Sequence, residues 1–367
     1  MFKIKRQINL LYASSIIGSI SITGAWVAIL ASRGFTLVQI GLAETIFHIT
    51  SLIFEVPSGV IADLFGRKKS LIISNVLFIL GNLLMAFGNG FAGVCVSFVF
   101  HALGYNFASG SGDALAYDSF KYVGEEALYE RYNSNQVIIY RITSGISTLC
   151  AGVALALGYK SAYLISVFSN LLSLIFIMGL AEVRLDEGGI SKKEITSTII
   201  ATLSNHIKEC VEFFRNNKKA GIVMFSNSLV GALDILLLFF LQSKIMDRCE
   251  SRLWLGAILF FMELGGILGA KLILYVKPGH YKKLFLICTV GVLFGILLEH
   301  SGIAIIMGLG GFIAAVSDDA IQIRTNTLLQ DNFPSSQRAT LASLMEFTFS
   351  VIMIILSPLA GLFFMIW

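Results

Sequence analysis

The chain has 367 residues, of which 56% are apolar and only 14% charged, and its mean hydropathy is +0.80. This composition leaves too little polar surface to cover a soluble core, which excludes a soluble globular protein and places the chain in a lipid bilayer. The net charge of +4 is small, so we assign it to loops that set orientation and expect no nucleic-acid partner. The five cysteines lack metal-ligand or CxxC spacing, and neither metal nor cofactor is expected.

Continuous apolar runs of about 20 residues predict membrane-spanning helices, because a transmembrane β-barrel would need short alternating segments. In chain order the predicted spans cover residues 8–30, 37–58, 70–88, 91–113, 134–158, 161–182, 219–243, 253–276, 283–299, 302–324 and 339–366. The first run is too long for the apolar region of a signal peptide, so it counts as a span. The sequence therefore predicts an all-α membrane protein with eleven visible spans.

The basic residues fix the expected orientation. With the N-terminus in the cytosol, 21 of the 27 Lys and Arg residues fall on the cytosolic side and 5 outside, while Arg141 lies within a span. Cytosolic loops of membrane proteins carry such an excess. The polar segment 183–218 is expected to be a cytosolic linker with an amphipathic helix, joining bundles at 1–182 and 219–367. Short outer loops favour a bacterial cytoplasmic membrane.

Ionisable residues recur with a period of three spans. The interiors of the third, sixth and ninth spans contain none, whereas the other spans each hold at least one, except the first. The first span carries a run of small polar residues instead: Ser14, Ser15, Ser19, Ser21 and Thr23. This pattern predicts nested three-helix repeats, in which every third helix is a lipid-facing support and the others line a cavity.

A charged stretch from Gly59 to Lys69 separates the second and third predicted spans. We interpret it as a hinge loop in which Gly59 and Gly66 allow two helices to approach closely. Asp63 is the one acid, and Arg67 and Lys68 hold the loop in the cytosol.

With its placement and flanks, this stretch resembles the loop between spans two and three of the major facilitator superfamily, roughly G-x-x-x-D-x-x-G-R-[RK]. The resemblance implies two pseudo-symmetric six-helix bundles, a mid-membrane cavity and alternating access. The segments 109–118 and 331–340 resemble the drug-exporter-like branch. Three features depart from that pattern: His101 replaces an Arg in span four, span five lacks a Gly-Pro pair, and a twelfth span is missing.

Ionisable groups are costly inside a bilayer, so each is a candidate for a functional or paired role. His101, Asp234 and Glu263 are expected near the midplane, and the neighbours of His101 join them as substrate or proton candidates: Tyr105 and Asn106. Glu44 is expected nearer the outer side. The remaining candidates are expected in the inner half, as gate or pairing residues: Arg141, Asp318, Asp319 and Glu346.

Each candidate also has a purely structural alternative. His101 either carries a proton or is a neutral core histidine bonded to a backbone carbonyl. The acids either titrate or hold helices together, and their excess over the single embedded Arg favours proton carriage. At the hinge, Asp63 is expected to pair across the cytosolic mouth, with Arg131, Asp331 and Arg338 as the gate residues considered.

These observations predict a proton-coupled secondary transporter that moves a small solute by alternating access, with efflux favoured over uptake. Proton-coupled metabolite uptake and a non-transporting scaffold or channel remain the alternatives. No nucleotide-binding run or clustered catalytic set is present, so the protein is not expected to be an enzyme. The expected partners are the solute, protons and lipid, and the expected state is a monomer.

Overall fold

The computed structural model describes residues 3–183, 217–249, 251–277, 281–332 and 338–366, together with positions 208 and 215. Within these ranges it contains fourteen α-helices and no strand. They are α1 (Ile4–Gly18), α2 (Trp26–Ser32), α3 (Leu37–Phe65), α4 (Arg67–Phe87), α5 (Gly90–Ala108), α6 (Ser111–Val123), α7 (Tyr129–Leu149), α8 (Ala151–Leu157), α9 (Tyr159–Met178), α10 (Lys218–Arg248), α11 (Arg252–Leu272), α12 (Tyr281–Glu299), α13 (Ala304–Asn332) and α14 (Arg338–Ile366). Among the described residues, nine helices are long and apolar enough to cross a membrane, or ten with a bent pair counted as one span. The prediction of an all-α membrane protein is confirmed.

The first predicted span is broken in the middle. Helix α1 ends at Gly18, and α2 begins only at Trp26. The intervening hydroxyl groups bond locally: the Thr23 N–H donates to Ser21 Oγ at 3.1 Å, and the two side-chain oxygens lie 2.7 Å apart. Such side-chain bonds compete with the helical ladder, which explains the break. The fifth predicted span is also interrupted, since the chain bends by 49° between α7 and α8.

The prediction of a hinge loop from Gly59 to Lys69 is wrong, because these residues are helical apart from Gly66. Helix α3 continues through Pro57 to Phe65, and α4 begins at Arg67, so Gly66 alone separates them. Gly66 has φ of 108°, which only glycine adopts readily, and this one residue makes the turn. A Cβ built on Gly59 meets no heavy atom of the described chain within 4 Å, so the close helix approach expected there is not seen.

The chain divides into two compact units. Unit 1 comprises Met1–Gly24, Ile49–Ser147 and Leu157–Ile207. Within it α4 packs against α5 and α9, and α1 packs against α9 and α6. Its buried cluster includes Leu11, Leu115, Tyr132 and Ile177. Serine hydroxyls also hold neighbouring helices together: Ser74 Oγ donates to the Gly104 carbonyl at 2.7 Å.

Unit 2 comprises Ala25–His48, Thr148–Ala156 and Lys208–Trp367. Within it α13 packs against α11 and α12, and α10 packs against α14. The α11–α13 contact depends on glycine, because a Cβ at Gly265 or Gly269 would collide with backbone carbonyls of α13. Small residues allow such close backbone contact between membrane helices. The predicted linker at 183–218 lies almost entirely outside the described residues, so its helix is not described.

Candidate functional site

Unit 1 contains a polar cavity of about 430 Å³. The end of α1 and the break after it form one wall, and α4, α5 and α9 form the others. Among the described residues, its lining contains no Asp, Glu, Lys or Arg. It contains eight hydroxyl side chains, three asparagines and one histidine: Ser14, Ser15, Ser19, Ser21, Thr23, Ser74, Asn75, Asn82, His101, Ser166, Asn170 and Ser173. The third and sixth predicted spans, now α4 and α9, therefore carry polar cavity residues. The prediction that they are purely lipid-facing supports is wrong.

His101 lies in the wall of this cavity. Its Nδ1 lies 2.8 Å from the Ser97 carbonyl oxygen, which can only accept, so Nδ1 carries the hydrogen. Nε2 is then the acceptor in a neutral ring. Gly81 of α4 makes room for the ring, because a Cβ there would lie 2.7 Å from His101 Nδ1. The geometry matches the bonded core histidine considered from the sequence, but it places the ring at a polar cavity.

Tyr105 and Asn106, the two candidates that follow His101 in α5, lie outside the cavity lining. Asn106 is buried and links α5 to α3: its amide donates to the Ser51 carbonyl at 2.8 Å, and Ser51 Oγ donates to its side-chain oxygen at 2.8 Å. Tyr105 is 52% exposed. Asn106 therefore makes a helix-to-helix clamp in this structure.

Unit 2 contains a cluster of four carboxyl groups inside predicted spans. Asp234 of α10 interacts electrostatically with Asp318, Asp319 and Glu299. Asp319 packs against Gly266 of α11, where a Cβ would collide with its Oδ2 atom. Asp318 is 7% exposed and Glu299 is 1% exposed. The structure thus brings together three predicted acids and adds Glu299, which was not among the predicted site residues.

Within the cluster, Asp318 has an amide partner. Gln322 Nε2 donates to Asp318 Oδ1 at 3.3 Å and to the Asn227 carbonyl at 3.1 Å. In the described part of the chain, Glu299 Oε2 is buried without a hydrogen-bond partner, and no Lys or Arg forms an ion pair with Asp234, Asp318 or Glu299. A buried carboxylate without such a partner is costly unless it holds a proton.

Two further predicted acids of unit 2 have specific partners. Glu44 is buried, and its Oε1 atom lies 3.4 Å from Nε2 of His48 one turn later in α3. His48 Nδ1 lies 3.4 Å from the Ser350 hydroxyl. Glu263 accepts a hydrogen bond from Thr148 Oγ1 at 2.6 Å. His48 was not among the predicted site residues, although its i, i+4 spacing from Glu44 places both side chains on one face of the helix.

At the turn between α3 and α4, Asp63 forms an ion pair with Arg67. Among the ion pairs of the described residues, the predicted pair between Asp63 and Arg131 does not occur. Glu182, which was not among the predicted site residues, accepts hydrogen bonds from the backbone N–H of Arg67 at 2.8 Å and of Lys68 at 3.1 Å. Its carboxylate therefore satisfies two free N–H groups at the first turn of α4, where the helix dipole also favours negative charge. Lys68 Nζ donates to the Met178 carbonyl at 2.8 Å, a second contact to the end of α9.

The remaining predicted site residues are not assembled into a described site. Arg131 and Arg141 are exposed on α7, and Glu346 is exposed on α14. The side chains of Asp331 and Arg338 lie outside the described residues, so their gate role stays a prediction.

The comparisons with known proteins agree with this architecture. The family model described as Major Facilitator Superfamily matches residues 8–363. The chain is 24% identical over 332 residues to the uncharacterized MFS-type transporter YxaM of Bacillus subtilis (strain 168), covering 87% of this chain and 79% of that protein. It is 26% identical over 143 residues to the uncharacterized transporter BU466 of Buchnera aphidicola subsp. Acyrthosiphon pisum (strain APS), covering 38% of this chain and 34% of that protein.

Solved structures of similar fold include the nucleoside transporter NupG, with a TM-score of 0.70, 14% identity, and coverage of 97% of this chain and 90% of that chain. A D-xylose-proton symporter has a TM-score of 0.64 and 13% identity, with coverage of 98% and 88%. At these identities the likeness concerns the fold. Together with the family match over nearly the whole sequence, it establishes that the chain belongs to the Major Facilitator Superfamily and is a membrane transporter rather than an enzyme.

Proposed function

We propose that this protein couples the movement of a small solute to the movement of protons, by alternating access. The observation that carries the proposal is the carboxyl cluster of Asp234, Asp318, Asp319 and Glu299 in unit 2. Glu299 is 1% exposed, with one oxygen lacking a hydrogen-bond partner among the described residues. Ionisable groups in membrane helices commonly mark proton relays.

The cluster suits proton coupling because its carboxyl groups repel one another when ionised. Asp318 interacts with Asp319, and Asp234 interacts with both as well as with Glu299. Two nearby carboxylates in a site of low dielectric constant are more stable when they share a proton. A conformational change that alters water access to the cluster would therefore bind or release a proton, and this supplies the coupling step.

We infer efflux as the direction, and the exporter-like branch as the position within the superfamily. The support is the likeness of segments 109–118 and 331–340 to that branch. Uptake is the second candidate, because the D-xylose-proton symporter has a similar fold and is named for coupled transport. A bacterial cytoplasmic membrane with the N-terminus in the cytosol, a monomeric state and a gating role for Asp63 belong to the same proposal.

Proteoliposomes with an imposed pH gradient test this proposal. A panel of neutral, anionic and cationic solutes is followed in both directions, with and without a protonophore. We expect at least one solute to move against its gradient only while the pH gradient exists, and the sign of its movement decides between efflux and uptake. Asp318→Asn should abolish accumulation, whereas Asp247→Asn, at an exposed position of α10, should not. Flux that ignores the pH gradient, or that runs at channel rates, would overturn proton coupling.

A further inference from the structure

The cavity of unit 1 also carries information about the solute, through the direction of its hydrogen bonds. Asn75, Asn82 and Asn170 each donate from Nδ2 to the backbone carbonyl four residues earlier, at 3.2, 2.9 and 2.8 Å. A carbonyl can only accept, so the nitrogen of each amide faces its own helix backbone. The three Oδ1 atoms, which are acceptors, make no hydrogen bond within the described chain.

Three serine hydroxyls of the cavity also donate to backbone carbonyls. Ser14 Oγ donates to the Leu11 carbonyl at 2.9 Å, Ser74 Oγ to the Gly104 carbonyl at 2.7 Å, and Ser173 Oγ to the Ser14 carbonyl at 2.9 Å. Each hydroxyl has one hydrogen and two lone pairs. Once the hydrogen is used on the backbone, the oxygen can offer only acceptor sites to the cavity. These amide and hydroxyl oxygens therefore present acceptor sites, beside the one remaining N–H hydrogen of each amide.

The broken first span strengthens this polarity. The chain between α1 and α2 is not helical and forms part of one wall of the cavity. Irregular backbone at membrane depth is tolerated where it lines a polar cavity, because its peptide groups need partners other than lipid. In transporters, discontinuous helices commonly form the solute site for this reason.

The described residues that line the cavity carry no formal charge. An anion would meet acceptor oxygens without a Lys or Arg, and a cation would find no carboxylate in the lining. A volume of about 430 Å³ lies within the usual size of small-molecule pockets. A neutral solute with several O–H donors can use the acceptors without leaving a buried charge unpaired.

We propose that this cavity binds a small neutral polyhydroxylated solute through the side-chain oxygens of Asn75, Asn82 and Asn170 and the surrounding hydroxyls. The inference rests on the proposed transport function and gives the class of solute that is carried. It differs from proton coupling, which concerns the carboxyl cluster of unit 2.

Three linear six-carbon probes separate the alternatives: sorbitol is neutral, gluconate carries a carboxylate, and glucamine carries an ammonium group. Binding to the purified full-length protein in lipid nanodiscs is measured by calorimetry at one pH, without a gradient. We expect sorbitol to bind at least tenfold more tightly than gluconate or glucamine. Equal or tighter binding of either charged probe, or no measurable sorbitol binding, would overturn the proposal without requiring any variant.

Variants then locate the site. Asn82→Leu and Asn170→Leu keep the approximate side-chain volume but remove an acceptor, and each should weaken sorbitol binding about tenfold. Asn170→Ser keeps an oxygen and should recover part of that loss. Asn133→Leu, at an exposed position of α7 outside the cavity, should change binding less than about twofold. Unchanged affinity in both cavity Leu variants would place sorbitol elsewhere and refute the site.

The two proposals fail separately. If sorbitol binds with the expected selectivity but its flux ignores the pH gradient, proton coupling is refuted and the site stands. If gradient-driven flux of a charged solute is found and sorbitol does not bind, the solute class is refuted and proton coupling stands.

Discussion

The contact between Glu182 and the start of α4 makes a quantitative prediction about the hinge. The carboxylate accepts from the backbone N–H groups of Arg67 and Lys68, at 2.8 and 3.1 Å. These are among the N–H groups that a helix cannot satisfy internally, so Glu182 acts as a distant capping residue. The loss of a side-chain cap typically costs about 1 kcal/mol, and an exposed carboxylate such as this one belongs at or below that value.

Glu182→Ala removes both hydrogen bonds, and about 1 kcal/mol corresponds to about fivefold more frequent opening of the first turn of α4. Hydrogen–deuterium exchange of the peptide that covers residues 60–75 measures this directly. Glu182→Gln keeps one acceptor oxygen and should give a smaller acceleration. Glu130→Ala, at an exposed glutamate on α7, is the matched control and should leave the peptide unchanged. Unaltered exchange at Arg67 and Lys68 in Glu182→Ala would refute the capping role.

Three further variants test the remaining contacts. Asp63→Asn removes the charge that pairs with Arg67, and we expect lower transport at normal surface expression; unchanged transport would exclude a gating role. Asn106→Ala removes two hydrogen bonds between α3 and α5, each worth about 0.6 kcal/mol, and should lower the free energy of unfolding in detergent by about 1 kcal/mol. An unchanged free energy of unfolding would contradict the role of Asn106 in joining these helices. Gly269→Ala should destabilise unit 2 by about 1–3 kcal/mol because the added methyl group would collide with α13, whereas Gly59→Ala should not destabilise the protein. Equal thermal stability of the two variants would show that Gly269 is not needed for the contact between α11 and α13.

The positions of most helices could be predicted from the sequence because bilayer thickness sets a length that apolar runs must match. Helices α4, α9, α10 and α12 begin and end within a few residues of the predicted spans, apart from the longer C-terminal end of α10. Breaks within runs were harder to foresee. The apolar residues that flank Ser19–Thr23 keep the average hydropathy high, although the local hydroxyl bonds end the helix there.

The candidate sites were only partly visible for a different reason. Sorting spans by ionisable residues identified Asp234, Asp318 and Asp319, because a charge in a membrane helix is rare and costly. The same criterion ignored amides and hydroxyls, so the polar faces of α4 and α9 were assigned to lipid. Glu299 was overlooked because it stands at the end of α12, where a carboxylate usually reaches water, yet it is 1% exposed.

Contacts between residues far apart in the sequence could not be predicted from local sequence patterns. Nothing in the local sequence connects Glu182 with Arg67, or Thr148 with Glu263. The prediction placed the partner of Asp63 across the cytosolic mouth, whereas Asp63 pairs with Arg67, four residues later. A partner that is near in the sequence needs less ordering of long side chains than a remote one.

The most direct test of proton coupling follows protons instead of solute. A pH indicator is sealed inside proteoliposomes without an initial pH gradient, and a gradient of a transported solute is then applied. We predict that solute movement changes the internal pH in wild-type vesicles, and that this change is absent with Asp318→Asn and retained with Asp247→Asn. Solute flux at the normal rate without any pH change in wild-type vesicles would contradict proton coupling.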